Sequence, residues 1–235
     1  AGTITNASSV VWTTSGTGTF SNTSIINPVY TPSAADTIGN VTITLTANQN
    51  KCNPVSDQMV ISFNNVPVVN AGSDKPVCEN NPVAAISGTS STGSGTWSGG
   101  TGTLTATSYT ASPKEVAAGA PVTLTFTSTN NGNCNPVSDQ MQVSFTPAPT
   151  VDAGQDLSFC KNNINITLAG VSSTSQGRWT GGAGSFSPAN TLLNASYTPT
   201  AAEIASGSLT LTLTTTNNGN CNPVSNQMAI VFTPV

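Results

Sequence analysis

The sequence predicts an all-β protein, a linear array of tandem immunoglobulin-like β-sandwich modules. Three observations predict it: internal repetition at a long period, period-two alternation of apolar residues with Thr, and turn residues at short intervals. The segment Asn-Cys-Asn-Pro-Val-Ser-Asp-Gln-Met at 133–141 has near copies at 51–59 and 220–228, so Cys52, Cys134 and Cys221 stand 82 and 87 residues apart. Trp12, Trp97 and Trp179 recur at 85 and 82, each followed by a Gly-containing turn and then Phe20, Leu104 or Phe186. Tyr30, Tyr109 and Tyr197 come next, each leading to a Pro and an acid: Asp36, Glu115 and Glu203. Such periods exceed those of solenoid repeats and suit compact domains. The expected modules are 1–66, 67–148 and 149–235. The first is truncated, because Ala1-Gly2 aligns with Ala169-Gly170, already inside a second strand.

Within a module the pattern is strand throughout. Val122–Ser128 and Leu209–Thr215 alternate apolar residues with Thr, and Met141, Val143 and Phe145 alternate with Gln142 and Ser144. One face of each strand is thereby apolar and the other wet; Thr suits the wet face because its branched carbon fits the pleat. In module 2, strand A begins near Pro76, B spans 83–87, C 96–98, E surrounds Tyr109, F spans 122–129 and G 140–146. Pro113–Gly119 reads as one helical turn. The Trp residues fall on strand C and are core rather than sugar platforms. The runs at 99–102 and 181–184 are hairpin turns, not phosphate loops, since neither a helix nor a Lys follows.

Composition narrows the chemistry. The 235 residues carry five Lys+Arg, nine Asp+Glu and no His; charged residues are 6% against 36% hydrophobic, while Thr, Ser and Asn number 38, 29 and 26. Without His there is no His-based triad, imidazole switch or His zinc ligand. Five dispersed cations do not make a nucleic-acid footprint, and no apolar run reaches a membrane span. Repetition also argues against catalysis, because an enzyme seldom copies its site into every module. No catalytic residue is assigned, and the chain reads as a non-enzyme.

Five cysteines leave one over. The F–G loop of such a sandwich lies at the N-terminal pole. Cys134 falls in that loop and Cys78 at the start of strand A, so the expected bonds are Cys78–Cys134 and Cys160–Cys221. Cys52 is then left without its partner, which would stand on the strand A that module 1 lacks. A Cys52–Cys78 bond across modules is not expected, since a module length of roughly 30–40 Å should separate the two poles. Structural disulfides imply an oxidising compartment.

The acids cluster at loops and linkers. Asp36, Glu115 and Glu203 share the E–F loop, Asp57 and Asp139 the start of strand G, and Asp74 and Asp156 a linker motif Asn/Asp-Ala-Gly-x-Asp. Glu115 is expected to face the linker carrying Asp152 and Asp156. Two readings stand side by side. Asp36, Asp74, Glu115, Asp152 and Asp156 supply oxygens for Ca2+ at module junctions, or Asp152 and Asp156 cap turns through their own backbone while Asp139 ties down the F–G loop.

The combination of Val-Asp-Ala-Gly-x-Asp, Trp-(Thr/Ser)-Gly-Gly-x-Gly, Tyr-Thr-Pro, Ala-Ala-(Asp/Glu)-Ile and Cys-Asn-Pro-Val-Ser-Asp-Gln-Met resembles the tandem repeats of giant cell-surface adhesins of gliding Bacteroidota, with some likeness to PKD-type modules. The likeness runs the length of the chain. It implies export by type IX secretion, an extracellular place on the bacterial surface, partners in the motility machinery through other parts of a parent chain, and contact with polysaccharide or substratum. Asp36-Thr37-Ile38 is similar to the O-glycan acceptor motif of these bacteria, which would make Thr37 a glycan site. The expected function is a structural, adhesive stalk. The alternatives are an ancillary array on a polysaccharide-degrading enzyme and a subunit of an extracellular filament.

Overall fold

The computed structural model describes residues 2–234, so of the Ala1-Gly2 pair only Gly2 can be placed. The described residues are nearly all strand and turn, with short helices at Pro113–Ala118 and Ala201–Ser206 and a 3-10 turn at Asp36–Ile38. No helix among them is long and apolar enough to cross a membrane. The chain forms two compact units: Ala1–Val69 with Thr89–Thr96 and Thr127–Ser138, and Asn70–Gly88 with Trp97–Phe126 and Asp139–Val235.

The first unit is built on a three-stranded sheet of Ser9–Thr14 (β1), Asn40–Gln49 (β2) and Cys52–Ser62 (β3), in the order β1-β2-β3. Trp12 faces Leu45 across the first pair, and Ile43 faces Met59 across the second. Trp12, Val41 and Ile43 form its small buried core, with Phe20, Tyr30, Leu45, Ile61 and Phe63 packed against them. The opposite layer is only the pair Thr19–Phe20 and Tyr30–Thr31. Gly2 lies against Trp12, Leu45 and the Ile26 carbonyl, just as Gly170 lies against Trp179, Leu213 and the Leu193 carbonyl, which matches the sequence alignment.

The second repeat contributes Lys75–Cys78 (β4), Gly95–Gly99 (β5), Val122–Ser128 (β6) and Ser138–Thr146 (β7), in the order β5-β6-β7-β4. In the third, Leu157–Cys160 (β8), Gly177–Thr180 (β9), Ser208–Thr215 (β10) and Ser225–Thr233 (β11) run β8-β11-β10-β9. Each four-stranded sheet is matched by a three-stranded one; in the third repeat this holds Ile166–Thr167, Ser196–Thr198 and Ser185–Ser187. The two layers make the β-sandwich. Alternation chooses its inside: Leu209, Leu211 and Leu213 point to the core from β10 and pair with Ile230, Met228 and, across β9, Trp179. Trp179 is fully buried and its indole N–H donates to the Leu193 carbonyl, so it is core, as its strand position requires. Trp97 is only half-buried and packs on Phe126. Outward hydroxyls pair across strands: Thr214 with Ser225, Thr127 with Ser138 and Thr46 with Ser56, at 2.7 to 2.9 Å.

The parallel pairing of the first strand with the last decides where the cysteines go. Lys75 stands opposite Val143 and Cys78 opposite Thr146; Leu157 stands opposite Ile230 and Cys160 opposite Thr233. The cysteine therefore ends its strand, where the last strand of the same repeat also ends. Cys160 is eight residues up β11 from Ser225, about 26 Å by strand rise from the loop that carries Cys221. The expected bonds Cys78–Cys134 and Cys160–Cys221 do not form for that reason.

Candidate functional site

The disulfide of this structure joins Cys78 to Cys221, with Cα atoms 5.0 Å apart and 143 residues between them in sequence. It crosses from one repeat to the next. Because Cys78 sits at the end of β4, beside Thr146 and the linker Pro147-Ala-Pro149, the loop before β11 comes directly to it. Both sulfurs lie 3.8–3.9 Å from the Pro147 carbonyl oxygen.

Amides of the neighbouring asparagines surround the bond. Asn80 Nδ2 donates to the Asn222 carbonyl at 3.0 Å, and Asn222 Nδ2 donates back to the Asn80 carbonyl at 2.7 Å. The Asn222 N–H donates to Asn80 Oδ1 at 2.9 Å, and Asn81 Nδ2 to the Asn220 carbonyl at 2.9 Å. Four neutral hydrogen bonds at about 1 kcal/mol each rank with the disulfide as a fastening. Cys-x-Asn-Asn (78–81, repeated as 160–163) thus docks on Asn-Cys-Asn-Pro (220–223). The sequence reading used the second motif and missed the first. The doublets Asn80-Asn81 and Asn162-Asn163, each two residues after a strand-ending cysteine, were the available signal.

Cys52 and Cys160 are exposed free thiols and Cys134 is a half-buried one. Cys134 lies within the first unit, its thiol 3.6 and 3.5 Å from the carbonyl oxygens of Asn64 and Asn65.

Asp152 caps its own turn, whereas Asp156, Asp74 and Asp139 accept from segments distant in sequence, so Asp156 does not cap its own turn and Asp139 holds Ala71 rather than the F–G loop. Asp152 accepts from the Gly154 N–H, Asp156 from the Ala229 N–H, Asp74 from the Gln142 N–H and Asp139 from the Ala71 N–H, at 2.7–2.9 Å. Glu115 does not turn to the Asp152–Asp156 linker. It folds back to accept from Thr101 N–H, Ser112 N–H and the hydroxyls of Tyr109 and Ser112. Among the described residues no three Cys, Asp or Glu side chains gather in a metal-sized group, so the set expected for Ca2+ (Asp36, Asp74, Glu115, Asp152, Asp156) is not assembled. Thr37 is exposed and its hydroxyl donates to the Ala34 carbonyl.

One node recurs three times, a Tyr hydroxyl donating to an acid six residues on: Tyr30 to Asp36, Tyr109 to Glu115 and Tyr197 to Glu203, at 2.6–2.8 Å. In the second and third repeats the acid also closes a capping box with Ser112 or Thr200, which is why the helices begin there. Burial pushes the Glu203 carboxyl up, but N–H donors from Thr200 and Ala183 and hydroxyls from Tyr197 and Thr200 outweigh it and bring it down to about 2. Glu115 is lowered to about 2 by the same balance. Burial, then the Glu203 carboxylate, raises Tyr197 to about 12. The Tyr30 hydroxyl, ahead of the backbone donors Thr17, Ser33 and Gly18, holds Asp36 far below the usual carboxylate range.

Gly182 completes the node. Its φ is +69°, and an added Cβ would run into the Tyr197 hydroxyl and the Glu203 carboxylate. Gly182→Ala should destabilise the protein by about 2–3 kcal/mol, read as a shifted urea midpoint. Gly207→Ala, at φ +89° but with open space around its Cβ position, should cost about half as much; equal costs would show that the clash is irrelevant.

No family model matches this chain. No curated protein matches it either. Among solved structures, a three-Ig segment of titin aligns over 95% of this chain and 87% of its own, at 10% identity and TM-score 0.41. Sidekick-1 immunoglobulin domains 1–5 align over 97% and 52%, at 14% and 0.39. The EC1–3 segment of mouse protocadherin-24 aligns over 99% and 92%, at 11% and 0.37. Values this low do not bear on what the chain binds.

Proposed function

We propose that this chain is a structural stalk segment of an extracellular adhesive protein, its sandwich modules (1–66, 67–148 and 149–235) following in series with a covalent clamp between the second and the third. The observation that carries this reading is the Cys78–Cys221 bond with its four amide hydrogen bonds. A bond spent between repeats rather than inside one fixes how neighbours follow each other, which matters to a spacer under load. The disulfide also favours an oxidising, extracellular place. The sequence resemblance adds the finer proposal of a bacterial surface adhesin used in gliding or attachment. A surface rich in Thr, Ser and Asn suits weak, multivalent contact with polysaccharide.

Two measurements test the two halves. Small-angle scattering of the second and third repeats should broaden markedly when Cys78–Cys221 is reduced; an unchanged profile would remove the stiffening role. A polysaccharide array probed with the multimerised chain should show binding that monomer fails to hold. A blank array with the multimer reduces the segment to a spacer.

A further inference from the structure

A pocket of about 290 Å³ opens in the second repeat between the outer strands of its two layers, β4 on one side and Val83–Ala85 on the other. Its remaining wall is Asn220, from the loop of the third repeat that carries Cys221. All these residues belong to the second compact unit. The volume stands at the lower end of the range for small-ligand sites, roughly 300–1,000 Å³, and suits a single sugar ring.

Lys75 is the charged side chain in the lining. Packing does not explain a cation there. Lys75 shares a strand face with buried Val77, and it stands opposite Val143 as Leu157 stands opposite Ile230 in the third repeat. Leu157 packs against the core from that position, so the fold accepts an apolar residue where the second repeat places an ammonium. Lys75 is half-buried; it gives up part of its hydration, and an anion in the pocket compensates for that. Two amides stand with it. Asn81 Nδ2 donates to the Asn220 carbonyl at 2.9 Å, which orients the Asn81 amide and leaves Oδ1 to accept from a hydroxyl. The Asn220 carboxamide offers a donor and an acceptor of its own. Neighbouring sugar hydroxyls, each both donor and acceptor, match such a pair. Pro76, Val83 and Ala85 are exposed around the pocket and present apolar surface to the C–H face of a ring.

We infer that this pocket binds a uronic acid residue of an acidic polysaccharide, its carboxylate on the Lys75 ammonium and its hydroxyls on Asn81 and Asn220. The inference deepens the adhesive reading, on which it rests for the polymer, by naming the class of saccharide. The clamp builds part of the site, since the fastening of Cys221 to Cys78 brings the adjacent Asn220 to the second repeat. A single sugar on a single lysine is held weakly and is screened by salt, so retention comes from many chains on one polymer.

The probe is a short galacturonic acid oligomer titrated into the full oxidised chain, with amide shifts read by NMR. The amides of Lys75, Ala84 and Asn220 should move together, and affinity should fall severalfold in high salt. Lys75→Gln should weaken binding about tenfold and Asn220→Ala about fivefold, whereas Lys51→Gln, at an exposed cation of the first unit, should leave it unchanged. A neutral galactose oligomer and an aspartate oligomer should each bind at least about tenfold more weakly than the uronate. Equal binding by either of them, an unaffected Lys75→Gln variant, or no shift at these amides overturns the proposal. Neutral saccharide bound at another surface would overturn this site and leave adhesion standing. A scattering profile unchanged on reduction would remove the stiff stalk and leave this site standing.

Discussion

Cys78→Ser/Cys221→Ser protein should melt on the order of 10 °C below the parent, whereas Cys134→Ser/Cys160→Ser protein should melt with it. The size follows from the closed loop: 143 residues correspond to about 5 kcal/mol in the chain-entropy model, and about 1 kcal/mol moves a midpoint by 2–4 °C in a chain of this length. The second pair of substitutions makes the comparison specific. It removes one cysteine from each bond that pairing within repeats would require and leaves the observed bond untouched. Scanning calorimetry of both variants under oxidising conditions decides between them. A parent-like midpoint for the first variant, or a fall in the second, would contradict the cross-repeat bond. Asn222→Ala alone should cost about 1–2 kcal/mol, because it deletes the side-chain donor to Asn80 while the disulfide remains.

Glu203→Gln should destabilise the third repeat by about 2–3 kcal/mol, the range for charge-assisted hydrogen bonds whose donors are left facing a donor. Both carboxylate oxygens are used: Oε1 accepts from Ala183 N–H and Tyr197 Oη, Oε2 from Thr200 N–H and Oγ1. An amide presents an NH2 to one of those sets. The pH dependence has a definite sign. The folded carboxyl titrates at about 2, below its ordinary 4.5, so the unfolded chain takes up protons first. Its contribution is complete above pH 4.5 and drains away as pH falls toward 2. Urea midpoints should therefore fall over that window in the parent and fall less steeply in Glu203→Gln. Parallel curves would mean the carboxylate is not held by these donors.

Much of the fold was legible because it is written three times. Alternation of Leu with Thr at 209–215 gave the strand and its inner face, and the aligned Gly2 and Gly170 meet equivalent neighbours, a Trp, a Leu and a carbonyl. The Tyr-to-acid spacing of six marked a node without revealing its chemistry, although Ser112-Pro-Lys-Glu115 and Thr200-Ala-Ala-Glu203 carry the capping-box pattern in sequence. The cysteine pairing was misread for a single physical reason. Cys78 was placed at the start of its strand, but the chain enters at Lys75 and the parallel register with β7 carries Cys78 to the far end. Cys78 thus stands opposite Thr146, eight residues from the start of β7 at Ser138, and that register moves the bond from within a repeat to between two. The acids misled in a related way: clustering in sequence near junctions suggested a shared ion, whereas each is taken up separately, by backbone N–H groups and, at Asp36 and Glu115, by a Tyr hydroxyl as well.

The clamp also changes what a pull on the chain would meet. Tension entering before Cys78 and leaving after Cys221 passes through one sulfur–sulfur bond and never loads the intervening 79–220 segment. Nearly all of two sandwiches is thus held in reserve, a slack of about 500 Å at full extension. Oxidised, the segment is a short tether that ruptures little; reduced, it is a long one that yields by unravelling. The redox state of one bond sets the extensibility of the second and third repeats together.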